Sequence, residues 1–327
     1  MIKLCTFVQR VNLVNNYRDY RLLIRIAHMY YGENKTQQEI ANKLGVSRPS
    51  ISRLLQKARE EGIVEIKINY EGSFARLEDT LEKAFGIKEV IITPFDEEGE
   101  GLKRLLAEAA AGFLMRALKD RDIIGVSWGT TLAYVHEYLK NAPKLNVTFV
   151  PLVGGVGQTK LDVHSNQIVI NLARAFGGDW QLLHAPAIVD SLNVKNTILS
   201  DKNTRQVLEL AEKSCVALIG VGAPLTPHST MLETGYFSEK ELEQLKNTGA
   251  VCDLCSIFLD KEGRLCPAEI NQRVIGISLE KLTKIPLVIG VAGGPDKHEA
   301  ILAALKGRHL DVLITDEHTG HFLLGKN

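Results

Sequence analysis

Two short stretches of this 327-residue chain have the residue types that hold an anion. Gly125-Val126-Ser127-Trp128-Gly129-Thr130-Thr131 leads from the strand-like run IIGVS into the helical pattern LAYVHEYL. Small residues let backbone N–H groups approach an anion there, and Ser127, Thr130 and Thr131 add hydroxyl donors at the positive end of a helix. Gly293-Gly294-Pro295-Asp296-Lys297 follows IPLVIGVA and opens the helix HEAILAALKG. A lysine in a first helical turn opposes the helix dipole and becomes favourable once an anion occupies the site. Phosphate suits both loops. Asp253 adds a carboxylate for sugar hydroxyls, and Gly154-Gly155-Val156-Gly157 a place of close backbone approach. One such loop reads equally well as an ordinary turn; two in one domain point to an anionic ligand. Asp316 and His318, after VLIT, stand at another strand end, either as pocket members or as satisfied structural groups. His164 and His184 have no partner at a telling spacing and are read as structural.

The elements that must position these residues are apolar runs alternating with helical patterns. Strand-like segments occur at IIGVS, VTFVPLV, CVALIGV, IPLVIGVA and VLIT, after a charged helical segment SFARLEDTLEKAFG. The alternation implies an α/β domain with a mostly parallel sheet, in which ligands sit beyond the carboxyl ends of the strands. We assign this domain to residues 71–327, as the ligand-binding part of the chain. Only Glu71, Gly72 and Ser73 separate it from what precedes, so the joint is short.

Residues 1–70 have a different build. Thr36 followed by Glu39 is a capping box, Ile40, Ala41 and Leu44 form a short apolar face, and Gly45 ends the helix. Ser47 is an N-cap for a second helix, Pro49 is tolerated in its first turn, and Ile51, Leu54, Leu55 and Ala58 recur at helical spacing. Leu22, Leu23, Ile26, Ala27 and Tyr30 predict an earlier helix, and IVEIKI after Gly62 alternates as the strand of a wing does. This is the order of a winged helix-turn-helix, whose second helix enters the DNA major groove. Over Lys35–Ile68 the charge is about +3, suited to phosphate contact. Arg48, Ser50 and Arg53 are the candidates for base or groove contact, and Ser47 and Lys57 for the DNA backbone. A helical docking module with merely solvated charges is the alternative.

Composition bounds the rest. The formal charge is zero, so nucleic-acid binding must rest on local charge. No apolar run approaches a bilayer span, and the polar residues Gln9, Arg10 and Asn12 interrupt the first segment, so we expect a cytoplasmic protein without a membrane partner. Five scattered cysteines argue for reduced thiols. Cys252 and Cys255 form a CxxC near Cys266, but no fourth ligand stands at zinc spacing, and neither a metal nor a cofactor is expected.

From about Tyr17 to its end the chain resembles the SorC/DeoR type of bacterial sugar-binding transcriptional regulators. The likeness is carried, in order, by TQQEIANKLGVSRPSISRLLQKAREEGIVEI, IIGVSWGTTL, LVGGVG, GAVCDLCSIFLDKEGRLCPAEINQRVIGI, VAGGPDKHEAILAALKG and DVLITDEHTG. The resemblance implies a winged helix-turn-helix joined to a domain related to sugar-phosphate isomerases and deaminases, assembled as dimers and usually tetramers on operator DNA. It implies a phosphorylated sugar as effector, with Ser127, Gly129, Thr130, Thr131 and Lys297 as the phosphate grip and Asp253, Gly154, Gly155 and Asn166 around the sugar. Some members place a Schiff-base lysine just before the Gly-Gly pair; Val153 stands there in this sequence, which implies a non-covalent complex. Cys252 and Ile257 also depart from the family's usual glycine and arginine and bear on pocket shape.

The expectation is therefore a DNA-binding transcriptional regulator, acting as a repressor, whose operator binding is controlled by a phosphorylated sugar through the arrangement of the protomers. The competing reading is a sugar-phosphate isomerase or deaminase with a helical appendage. Asp253 could act as its general base, but no partner acid stands at a convincing spacing.

Overall fold

A computed structural model of the chain describes residues 20–64, 73–97, 99–155, 163–226, 229, 237 and 239–326. The chain divides into two compact units, Met1–Glu71 and Gly72–Asn327.

In the first unit, helix α1 covers residues 20–27 and widens into a π turn at His28–Gly32; α2 is Gln37–Leu44 and α3 is Arg48–Glu60. The ends form as the local chemistry requires. The Thr36 hydroxyl accepts the Glu39 N–H, and the Glu39 carboxylate accepts the Thr36 N–H at 2.8 Å. Gly45, at φ 66°, turns the chain out of α2 in the left-handed region that a side chain would resist. Ile26, Met29, Ile40, Ala41, Ile51 and Leu55 make one core, and Leu23, Ala27 and Ala58 a smaller one. Leu22, expected in the buried stripe, is exposed, because the α1 stripe passes through Leu23, Ile26 and Ala27 instead. Ile63 and Val64 pack on the smaller core; the rest of the expected wing strand, from Glu65, lies outside the described residues.

The second unit is built on a seven-stranded, all-parallel sheet. Its strands are β1 (Glu89–Thr93), β2 (Ile123–Val126), β3 (Thr148–Pro151), β4 (Asp179–Trp180), β5 (Val216–Gly220), β8 (Leu287–Val291) and β9 (Val312–Asp316), in the order β1-β9-β8-β5-β2-β3-β4. An antiparallel hairpin, β6 (Cys252–Leu254) with β7 (Ile257–Leu259), stands outside the sheet. The strand period of two divides the interior into two cores. Ile124, Val126, Leu218 and Ile314 face one, with the helices Gly99–Ala117 and Ser165–Phe176; Ala217, Ile219, Val288 and Leu313 face the other, with the helix His298–Lys306. The edge strand β1 is closed by side chains of the helix Ala75–Phe85. Glu82 accepts the Val90 N–H and Glu78 the Ile92 N–H, each at 2.9 Å, so the outward donors do not stay open to another chain.

The strand order places the functional crevice. From β2 the chain winds outward through β3 to β4, then returns to β5 beside β2 and winds the other way through β8 and β9. The loops after β2 and β5 therefore leave in opposite directions and open a cleft at the carboxyl ends of these strands, the topological switch point of such sheets. No helix of the described residues is long and apolar enough to cross a membrane.

Candidate functional site

A pocket with a volume of about 570 Å³ fills that switch point, within the range that encloses small ligands. Its walls come from distant parts of the chain: Phe95 to Glu97 after β1, Ser127 to Leu132 after β2, Gly220 to Pro224 after β5, Asp253 and Cys255 from the hairpin, and Val291 to Lys297 after β8. Six of the expected effector residues meet here: Ser127, Gly129, Thr130, Thr131, Asp253 and Lys297.

Their roles separate on inspection. The Ser127 hydroxyl is engaged by the fold: it accepts the Gly220 N–H and donates to the Trp128 carbonyl, both at 3.1 Å, tying the ends of β2 and β5 together. It shapes the cleft and in this state has no proton to offer a phosphate, contrary to the expected grip. Thr130 and Thr131 stand half-buried in the first turn of the helix Thr130–Tyr134, beside Gly129. Gly294, at φ 91° and ψ 157°, holds a conformation open to glycine, and its N–H donates to Asp316 at 2.7 Å. Asp316 also accepts the Thr319 N–H and hydroxyl, so it is a satisfied structural group that pins the loop carrying Lys297. His318 stacks on Phe95, with centroids 3.9 Å apart.

Asp253 and Lys297 dominate the electrostatics. Both backbone polar groups of Asp253 pair with Gly222 at 2.8 Å, which fixes the hairpin to the loop after β5. Asp253 is 5% exposed, and its Oδ1 is buried without a hydrogen-bond partner. Burial pushes its pKa up to about 7, against the pull of the Lys297 ammonium and the Ser256 N–H. Burial likewise lowers the Lys297 pKa, against the attraction of Asp253. The hairpin turn is itself unusual, because Cys255 and Ser256 both have positive φ, 53° and 64°, without being glycine. Ser256 accepts the Trp128 indole N–H at 3.2 Å, joining the hairpin to the loop after β2. Burial raises the pKa of the Cys252 and Cys255 thiols, which keeps them protonated. No group of acidic, cysteine or histidine side chains suited to a metal occurs among the described residues.

Gly154, Gly155 and Asn166 do not line this pocket, contrary to expectation. A Cβ on Gly154 would lie 2.4 Å from the Pro186 carbonyl oxygen, so that glycine serves a backbone crossing. Gly155 donates its N–H to Ala185, and its carbonyl accepts the Ala187 N–H, both at 2.8 Å. The Asn166 amide donates to the Leu183 carbonyl and accepts the Leu183 N–H. Val153 is fully buried. Phe95, Glu97 and Lys103, which flank β1 and stand in the next helix, also line the pocket and were not singled out from the sequence.

On the first unit, α3 buries Ile51, Leu55 and Ala58 and exposes Arg48, Arg53 and Lys57. Ser47 accepts the Ser50 N–H at 3.3 Å, and the two hydroxyls lie 2.8 Å apart, so both serines contribute to the cap. Lys57 is 3.5 Å from Glu61. Ser52 and Gln56 share the exposed face with Arg53 and were not singled out from the sequence.

A helix-turn-helix unit, together with a parallel α/β unit whose switch point holds a charged pocket, is the build of a DNA-binding regulator with a small-molecule sensor. Residues 70–325 match the family model "Putative sugar-binding domain", and residues 20–78 match "Crp-like helix-turn-helix domain". The chain is 34% identical over 308 residues to the deoxyribonucleoside regulator of Bacillus subtilis, covering 93% of this chain and 97% of that protein. It is 33% identical over 316 residues to the sorbitol operon regulator of Klebsiella pneumoniae, covering 95% and 100%. The crystal structure of the full-length regulator SorC from Klebsiella pneumoniae superimposes with a TM-score of 0.73 at 32% identity, covering 94% of this chain and 99% of that one. The chain belongs to the SorC/DeoR type of sugar-binding transcriptional regulators.

Proposed function

We propose that the pocket binds a phosphorylated sugar non-covalently and that its occupancy controls operator binding by α3. The observation that carries this reading is the pairing, within one cleft, of a cation with an orphan acceptor. Lys297 and the donors around Gly129, Thr130 and Thr131 suit the phosphate, while Oδ1 of Asp253 lacks a donor that a sugar hydroxyl would supply. Residues 1–70 act as the reading head, with Arg48, Ser50 and Arg53 toward the bases and Ser47 and Lys57 toward the backbone. Residues 71–327 act as sensor and oligomerisation domain. The helix Leu192–Ser200 has no buried residue and exposes Leu192 and Val194, which supports self-association into a dimer or tetramer in the cytoplasm. The effector acts by favouring one of two states, and a coupling of about 1–3 kcal/mol changes DNA affinity roughly 5- to 150-fold.

A second reading draws on Asp253 itself, since a carboxylate held near neutrality is suited to a general base in a sugar-phosphate isomerase. The relatives' names favour the regulator. Thermal unfolding against matched phosphorylated and free sugars tests the main reading. A ligand at about 100 times its dissociation constant adds about 2.7 kcal/mol. A phosphorylated compound that shifts the midpoint and alters DNA binding, while its free sugar does neither, is the expected result. Turnover of that compound by the purified protein would transfer the site to the enzyme reading.

A further inference from the structure

The pocket has a second ammonium group whose present partner lies outside the cleft. Lys103 stands in the second turn of the helix Gly99–Ala117 and lines the pocket with Leu102 and Leu106. Its Nζ bonds to Glu100 Oε1 at 2.7 Å, in a pair whose side chains are 33% and 62% exposed. A pair that open to water is weakly held. Lys103 and Lys297 line the same pocket, and repulsion from the Lys103 charge adds to the burial that chiefly lowers the Lys297 pKa. An anion between them relieves that repulsion, and a dianion does so more than a monoanion.

Glu100 is not committed to Lys103 alone. Its other oxygen accepts the Tyr134 hydroxyl, at the far end of the helix that begins with Thr130 and Thr131. Arg104 binds Glu137 at 2.6 Å and lies 4.3 Å over the Tyr134 ring. Glu100 therefore keeps a donor, and its helix keeps its contact with the Thr130 helix, when Lys103 turns away. The swap needs only one side chain to move.

We propose that Lys103 is a second cation of the anion site, that Glu100 is its counter-ion in the ligand-free protein, and that a phosphomonoester takes Lys103 from Glu100 on binding. The inference deepens the phosphorylated-sugar reading and rests on it. It assigns to Lys103 the preference for a dianionic phosphate over a carboxylate of similar size, and to Glu100 a competitive restraint on affinity.

Titration calorimetry of the full-length protein with inorganic phosphate at pH 8, with chloride holding ionic strength constant, tests this. Lys103→Gln is expected to weaken phosphate binding about tenfold, as the loss of a charge-assisted hydrogen bond does. Glu100→Gln is expected to tighten it about threefold, by releasing Lys103. Tightening separates the proposal from a merely structural role, since damage to the wall lowers affinity. Glu100 is exposed and Lys103 partly so, and thermal midpoints within a few degrees of the parent establish that the variants fold. Phosphate binding that is abolished by Lys297→Gln but unchanged by Lys103→Gln and Glu100→Gln would overturn the Lys103 assignment and leave the Lys297 site standing. Failure of the unmodified protein to bind phosphate would overturn the anion site and this assignment with it.

Discussion

Replacing Asp253 by asparagine should make the ligand-free protein's stability less dependent on pH. In the native state the buried carboxyl holds its proton up to about pH 7, whereas an unperturbed aspartate releases it near 3.8. Between these values the native state binds more protons than the unfolded chain, so stability is lost as pH rises through this window. A displacement of about 3 units corresponds to about 4 kcal/mol at most, and relaxation around the ionised group brings the expected figure to about 2–4 kcal/mol. Asparagine has its own cost in the site, because its amide also lacks a partner, but that cost does not titrate. The difference between the two proteins is therefore the quantity to read. Both tryptophans, Trp128 and Trp180, lie in the second unit, so their fluorescence follows that unit during urea unfolding. Unfolding free energies measured at pH 4, 6 and 8 should show the asparagine variant gaining about 2–4 kcal/mol relative to the parent across the series. A difference that stays constant with pH would refute the assignment of a buried carboxyl of raised pKa to Asp253.

Two further outcomes follow from the geometry. Gly154→Ala pushes a methyl group toward the Pro186 carbonyl, and should cost about 1–3 kcal/mol in urea unfolding while leaving the affinity of the remaining folded protein for phosphate unchanged. Arg53→Ala should weaken binding of duplex DNA by about 1–3 kcal/mol in fluorescence anisotropy and change thermal stability by less than about 0.5 kcal/mol, since its side chain is exposed on the free face of α3.

The parts legible in the sequence are those in which local chemistry decides the conformation. Thr36 with Glu39, Gly45, and Ser47 with Pro49 mark helix ends within a few residues, and all three ends form as read. The five apolar runs all contain sheet strands, because a strand buried on both faces has no polar residue to conceal it. The edge strand β1 passed unnoticed, since EVIIT is short and follows a charged helix; its outward N–H groups are satisfied by Glu78 and Glu82, a pairing that periodicity does not encode. The β6–β7 hairpin was hidden in the same way, because its left-handed turn uses Cys255 and Ser256 where glycine or asparagine is the usual sign. Within the site, residue type located Asp253, Thr130, Thr131 and Lys297 in the pocket wall. It could not reveal that the Ser127 hydroxyl accepts the Gly220 N–H, or that Gly154 and Asn166 meet Pro186 and Leu183, because those partners lie well along the chain.

The pairing of β1 with β9 also sets an order of events during synthesis. The described residues of the reading head end at Val64, whereas β1 has its sheet partner only once Val312–Asp316 exists. At bacterial elongation rates of 5–20 residues per second, roughly 10 to 50 s separate the completion of α3 from the emergence of Lys297. Throughout that interval the nascent chain has a helix-turn-helix sequence but no sensor, and the first strand of the sheet waits for the last. A chain cut short before β9 keeps a complete α3 but has neither a closed sheet nor a full pocket, and truncation there separates DNA reading from ligand control.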